Sequence, residues 1–159
     1  MATADEQWMQ LALEEARLAW LEGEVPVGAV AVISGELLAR AHNRVIALDD
    51  PTAHAEVLAI RAAAAQLQNY RIEPVELYAT LEPCPMCAGV MVHARLARLC
   101  YGAGDEKAGA AGSVFQLLDG TRLNHRVEVT RGVLEPECGA LIQEFFRQRR
   151  SSRSGPVLP

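Results

Sequence analysis

His54-Ala55-Glu56 and, about 30 residues further on, Pro83-Cys84-Pro85-Met86-Cys87 bring one imidazole, two thiols and one carboxylate into two short segments of an otherwise Ala- and Leu-rich chain. Imidazole and thiolate are the usual ligands of zinc. A zinc site closed by four protein ligands is structural, whereas three leave a fourth position for water, whose pKa the ion lowers to roughly 7. His54, Cys84 and Cys87 make three, and Glu56, two residues past the histidine, could move protons to and from that water. A Cys-x-x-Cys by itself also fits a thioredoxin-type redox pair or half of a structural zinc site. The separate His-x-Glu weakens the redox reading, and the lack of a second Cys-x-x-Cys or a His pair weakens the structural one.

The elements around these residues must bring them together. Between Glu6 and Leu21, apolar residues including Trp8, Met9, Ala12, Ala16 and Trp20 recur at three- and four-residue steps, predicting an amphipathic helix that Gly23 ends. Val27 to Ile33 reads as a buried strand, and Ser34-Gly35 turns it into a second one over Leu37 to Val45, with His42 and Asn43 near its end. Asp49-Asp50-Pro51-Thr52 is a turn with two candidate caps, Asp50 and Thr52, for a helix from about His54 to Gln68. A strand follows over Val75 to Leu81, and Pro85 suits the first turn of a helix reaching about His93. His54 and Glu56 on one helix mouth and Cys84 and Cys87 on another can therefore face each other, with the helix dipoles favouring thiolate.

Further strands are expected over Arg98 to Gly102 and Val127 to Val133, a Gly- and Ala-rich loop over Gly104 to Gly112, and a short helix capped by Ser113 and ending at Leu118. A terminal helix over Glu135 to Arg150 carries Leu141, Ile142, Phe145 and Phe146 on its apolar face, and Ser151 to Pro159 reads as a disordered tail. Strands alternating with helices give one α/β domain.

A chain of 159 residues buries a core without metal or disulfide staples, so zinc is not needed for folding. No apolar run approaches membrane-spanning length, and the acidic start from Met1 to Gln7 is unlike a secretory signal, so the chain reads as soluble and cytoplasmic, with no membrane partner. Cys100 and Cys138 fall in apolar patterns and read as buried small hydrophobes. A net charge of −5 argues against indiscriminate coating of nucleic acid. Yet Arg147, Arg149, Arg150 and Arg153 cluster at the end with no acid among them, either as a solvated helix end or as an RNA-phosphate contact.

The two motifs together resemble the zinc-dependent nucleoside and nucleobase deaminases, whose His-x-Glu and Pro-Cys-x-x-Cys signature they match. Further segments, among them Glu24-Val25-Pro26-Val27-Gly28-Ala29, Asp50-Pro51-Thr52-Ala53, Thr80-Leu81-Glu82-Pro83, Gly102-Ala103-Gly104-Asp105-Glu106-Lys107 and Phe145-Phe146-Arg147, are similar to bacterial tRNA-specific adenosine deaminases from about Trp8 to Arg150. The resemblance implies a cytidine-deaminase-like fold, a three-layer α/β/α arrangement with a mixed five-stranded sheet, over a deaminase domain of residues 1–150. It implies hydrolysis of the wobble adenosine (position 34) of a tRNA anticodon stem-loop to inosine, one Zn2+ per subunit, and a homodimer. His54, Cys84 and Cys87 would hold the zinc and Glu56 would be catalytic.

For substrate contact the resemblance points to Asn43 in the base pocket, to Asp105 and Lys107 on the flipped nucleotide and its neighbours, and to Phe145 and Arg147 on RNA. Each has a plainer alternative: a strand-end role for Asn43, an exposed polar loop for Asp105 and Lys107, and a packed helix face for the phenylalanines. A free-base or nucleoside deaminase, or an RNA-binding protein with a structural zinc, are the competing functions.

Overall fold

The computed structural model describes residues 1–153. Its elements are α1 (Ala4–Leu21), β1 (Gly28–Ile33), β2 (Glu36–His42), α2 (Ala55–Leu67), β3 (Val75–Leu81), α3 (Pro85–His93), β4 (Arg98–Ala103), β5 (Glu128–Arg131) and α4 (Glu135–Arg153). The strands form one mixed sheet in the order β2-β1-β3-β4-β5. β1 is antiparallel to both β2 and β3, whereas β3, β4 and β5 run parallel.

Period-two alternation along the central strands separates two cores. Ala29, Ala31, Leu77, Ala79, Leu99 and Tyr101 face α2 and α3, meeting Ile60, Ala63, Met91 and Val92. Val30, Val32, Tyr78 and Cys100 face the other way, onto Met9, Ala12 and Leu13 of α1 and Cys138 of α4. The result is the three-layer α/β/α fold that the resemblance implies. A Thr3/Glu6 capping box starts α1, each side chain accepting the other's backbone amide, at 3.1 and 3.0 Å. The helix lies so close to β1 that a Cβ on Gly28 would fall 2.0 Å from the Ala12 carbonyl oxygen.

Several expectations need correction, among them the last strand, which covers Glu128–Arg131 rather than Val127 to Val133. β2 ends at His42 rather than Val45, because Arg44 to Asp49 close a turn in which the Leu48 amide donates to the Arg44 carbonyl, 3.0 Å. Neither Asp50 nor Thr52 caps α2: Asp50 Oδ1 accepts from Thr52 N and Oγ1, at 2.8 and 2.7 Å, and so shapes the preceding turn. Residues 113–118 form no helix, since Ser113 donates its amide and hydroxyl to Glu82 and the Leu117 amide turns back to the Ala110 carbonyl, 3.1 Å. Finally, α4 runs on through residues 151–153 of the expected tail; residues 154–159 lie outside the described residues.

Candidate active site

β3 and β4 run parallel, so the loops leaving their carboxyl ends open on the same side of the sheet, where open α/β folds place their ligands. One loop leads to α3 and the other spans residues 104–113. The long connection after β2 delivers α2 to the same edge.

The residues at the two helix mouths are unusual for their positions. N-caps favour Ser, Thr, Asp or Asn, but His54 holds that place on α2 and Cys84 on α3, and neither side chain caps its own helix. They turn to each other instead. His54 Nδ1 stands 3.7 Å from Cys84 Sγ and 3.4 Å from Cys87 Sγ, and the two sulfurs are 3.7 Å apart. Pro85 at the first helical position sets the turn that brings Cys87 onto the face of Cys84.

This triangle fits a metal ion. Metal–sulfur bonds near 2.3 Å and metal–nitrogen bonds near 2.0 Å at tetrahedral angles require about 3.8 Å between sulfurs and about 3.5 Å from sulfur to nitrogen. The three ligand atoms meet both spacings. The three groups also share protons: the hydrogen bond with Cys87 brings the Cys84 thiol down to about 4, against the cost of burial and helped by His54. Cys87 is pushed up by that same bond and by burial. His54 is raised by its bond to Cys84.

Glu56, in the first turn of α2, is only 4 % exposed. Burial pushes its carboxyl up to about 7, although its own backbone amide and His54 favour the charged form. A carboxyl so placed can take and return a proton near neutral pH.

A cavity of about 340 Å³ opens beside the triangle, at the small end of the range for ligand pockets and suited to one nucleoside. Val25, Val27, Val45, Leu81 and Ala108 give it apolar walls, and Asn43, Glu56, Glu82 and Asp105 its polar groups. Asn43 is 7 % exposed; its Nδ2 donates to the Val25 carbonyl at 3.3 Å, while Oδ1 is buried without a partner. A buried acceptor left unmade costs about 1–3 kcal/mol, so this oxygen is poised for a donor on a ligand.

The other expected contacts separate. Asp105 reaches the cavity wall, with Oδ1 accepting the Lys107 and Ala108 amides at 2.9 and 3.2 Å. Lys107 is exposed and outside the lining. Phe145 is buried on α4 against Trp20, ring centroids 5.3 Å apart, with the Arg149 guanidinium 5.1 Å from its ring. Phe146, expected on the buried face, is 41 % exposed. Arg147 is exposed and donates to Glu144, 2.8 Å. Neither Phe145 nor Arg147 lines the cavity.

Two buried carboxylates beside the cavity escaped sequence reasoning. Glu24, wholly buried, accepts the Ile46 amide at 3.1 Å and the Ala47 amide at 2.8 Å, bracing the turn after Asn43. Glu82, 1 % exposed, accepts four donors from the 104–113 loop: the Asp105, Ala111 and Ser113 amides at 3.0, 3.0 and 3.1 Å, and the Ser113 hydroxyl. Burial pushes its carboxyl up, but these bonds prevail and hold it below the usual carboxylate range. The available signal was an acid between a buried strand and a proline, where a charge must find donors. With Glu82 saturated and Asp105 bound to its own loop, Glu56 is the cavity carboxyl suited to proton transfer.

The profile of the MafB19-like deaminase family matches residues 3–150. The tRNA-specific adenosine deaminase of Bacillus subtilis is 48% identical over 151 residues, covering 95% of this chain and 94% of its own length. That of Haemophilus influenzae is 47% identical over 150 residues, covering 94% and 87%. A solved structure from work on A-to-I editing by tRNA:A34 deaminases at the wobble position superposes with a TM-score of 0.83 at 44% identity, over 85% of this chain and 98% of the other. The guanine deaminase of Nitrosomonas europaea follows at a TM-score of 0.78 and 27% identity, over 88% and 83%. The fold is thus shared with a purine-base deaminase, while the higher identity lies with the tRNA enzymes. This chain belongs to the MafB19-like deaminase family and, within it, to the tRNA-specific adenosine deaminases.

Proposed function

We propose that the chain hydrolyses the wobble adenosine, position 34, of a tRNA anticodon to inosine and releases ammonia. The observation that carries this reading is the nucleoside-sized cavity on which the unpaired Asn43 oxygen and the Glu56 carboxyl converge beside His54, Cys84 and Cys87. His54, Cys84 and Cys87 would hold one zinc ion per subunit, a thiolate and imidazole donor set that suits this metal. When bound, the ion supplies a Lewis acid that makes water nucleophilic near neutral pH.

Glu56 takes a proton from the water that attacks C6 and passes it to ring N1 as that carbon becomes tetrahedral. It then takes the proton of the new C6 hydroxyl and gives it to the amino nitrogen. The C6–N6 bond breaks, a C6 carbonyl forms, N1 keeps the first proton, and ammonia leaves. Asn43 Oδ1 accepts a hydrogen bond from the bound nucleoside, and the apolar walls exclude bulk water. Because the cavity admits one nucleoside, the adenosine must be turned out of its stack.

Asp105 and Lys107 would meet the flipped nucleotide and its neighbours, and Phe145 and Arg147 the RNA beyond. For a phosphate contact, Arg147 must exchange its Glu144 partner for the ligand. The same reading gives one deaminase domain over residues 1–150, a homodimer, and a cytoplasmic enzyme, in keeping with a tRNA substrate. No helix of the described residues is long and apolar enough to cross a membrane.

The test compares the zinc-loaded protein on an anticodon stem-loop with adenosine at the wobble position, on free adenine and on free cytosine. Inosine should form on the stem-loop alone. Equal turnover of a free base overturns the reading.

A further inference from the structure

Three carboxylates line the cavity, and only one has a role in the proposed chemistry. Glu82 is the most constrained of the others. Its Oε1 accepts the Asp105 amide and the Ser113 hydroxyl, and its Oε2 accepts the Ala111 and Ser113 amides. All four donors belong to one loop. Among the described residues no ion pair joins this carboxylate, so the loop itself supplies the groups that replace its hydration.

The loop is shaped around that group. The Ala110 amide donates to the Pro83 carbonyl at 2.8 Å, drawing the chain back over the start of α3. A Cβ on Gly109 would stand 2.4 Å from Glu82 Cδ and 2.5 Å from the Asp105 carbonyl oxygen, so the backbone approaches the carboxylate more closely than any side chain allows. Glu106, Lys107, Gly112 and Ser113 are exposed, whereas the anchor beneath them is buried. From this anchor the loop carries Asp105 and Ala108 to the cavity wall.

We infer that Glu82 is a positioning residue for the substrate: its buried carboxylate fixes the 104–113 loop and thereby the Asp105 and Ala108 side of the cavity. The inference rests on the proposed deaminase reading for its kinetic arm. Glu82 acts on nucleoside binding rather than on proton transfer, because its oxygens are already occupied by donors. The Asp105 amide, bonded directly to it, makes the coupling to the wall immediate.

Glu82→Gln keeps the size but turns an NH2 toward donors that need an acceptor. In the zinc-loaded variant, amide exchange over 105–113 should accelerate. KM for the stem-loop should rise about tenfold, the loss expected when one charge-assisted hydrogen bond is left unmade. Turnover at saturation should stay within about twofold, with one zinc per chain. Ser113→Ala, which removes a single donor, and Gly109→Ala, which presses on the carboxylate from the loop side, should move KM and exchange in the same direction and decide the matter if Glu82→Gln does not fold. A fall in kcat at unchanged KM, loss of zinc, or unchanged exchange over the loop overturns the inference. Exchange in the free protein is independent of the substrate, so failure of wild-type protein to act on tRNA would count against the proposed function and leave this assignment to the exchange data.

Discussion

His54 Nδ1 and Cys87 Sγ stand 3.4 Å apart across the mouths of two helices, although 33 residues separate them along the chain. Their approach depends on α2 and α3 packing on one face of the sheet, where Ile60, Ala63, Met91 and Val92 meet Leu77, Ala79 and Leu99. Chelation should therefore abolish inosine formation while far-UV circular dichroism is retained. Melting should fall by on the order of 10 °C, the effect of losing a ligand held at about a thousand times its Kd. Calorimetry with and without chelator, followed by zinc restoration, checks this; an unfolded apo-protein would assign the metal a structural role.

Glu56→Ala should lower the rate of deamination by at least about 10²- to 10⁴-fold, the usual contribution of a general acid–base group. Zinc stoichiometry and stem-loop affinity should hold, since His54, Cys84 and Cys87 remain. Single-turnover kinetics with metal analysis and fluorescence anisotropy separate the three quantities. Activity surviving in this variant would move the proton transfers to another group.

Asn43→Ala removes the buried unpaired acceptor and one long hydrogen bond, Nδ2 to the Val25 carbonyl at 3.3 Å. Stability should change little. The kcat/KM for the stem-loop should fall by about ten- to a hundredfold if the oxygen meets a donor on the nucleoside. Thermal melts and steady-state kinetics on the same preparation test this, and an unaltered kcat/KM would confine Asn43 to the fold.

Asp5 ties the first turn of α1 to the sheet: it accepts from Arg98 at 2.6 and 3.0 Å and from the Tyr78 hydroxyl at 2.8 Å. The bond from Arg98 outweighs burial and, with that from Tyr78, holds the Asp5 carboxyl below its ordinary value. A carboxyl lowered in the folded state contributes stability above its unfolded pKa of about 3.9, and that contribution disappears as pH falls through the lower folded value. Asp5→Asn should therefore cost about 1–2 kcal/mol at pH 7 for this partly buried pair. The gap from wild type should narrow as pH drops below about 4. Denaturant melts at a series of pH values measure it; a constant gap would assign the loss to packing.

The strands and helices that position the site were legible from apolar periods, near-continuous apolar runs and the prolines and glycines that bound them. Val75 to Leu81 was placed without error, as was Pro85 to His93, where proline marks the start. Ser113 misled because a serine before an apolar stretch is a good cap only when its local amides are its best partners; here Glu82, 31 residues earlier, claims both its amide and its hydroxyl. Asp50 and Thr52 had ideal capping chemistry, yet they bonded to each other and left the cap position to His54. The pairing of Ser113 with Glu82 is long-range and leaves no local pattern. The same reason hid Glu24 and Glu82, whose functions exist only once distant backbone amides arrive. The metal and proton-transfer candidates could be named in advance because their chemistry resides in residue type and spacing.

Glu24 and Glu82 also divide the rim of the cavity into what must stay and what can vary. Each grips backbone amides, which every residue but proline possesses, so apart from Ser113, whose hydroxyl also donates to Glu82, and Gly109, which has no room for a side chain, the side chains on the gripped segments are left out of the attachment. Ile46, Ala47 and Leu48 on one side, and Glu106 and Lys107 on the other, can then be exchanged with the main chain held in place. A designer seeking altered preference for the bases around the target could randomise these positions first, treating the two glutamates as fixed sockets and the segments between them as replaceable inserts.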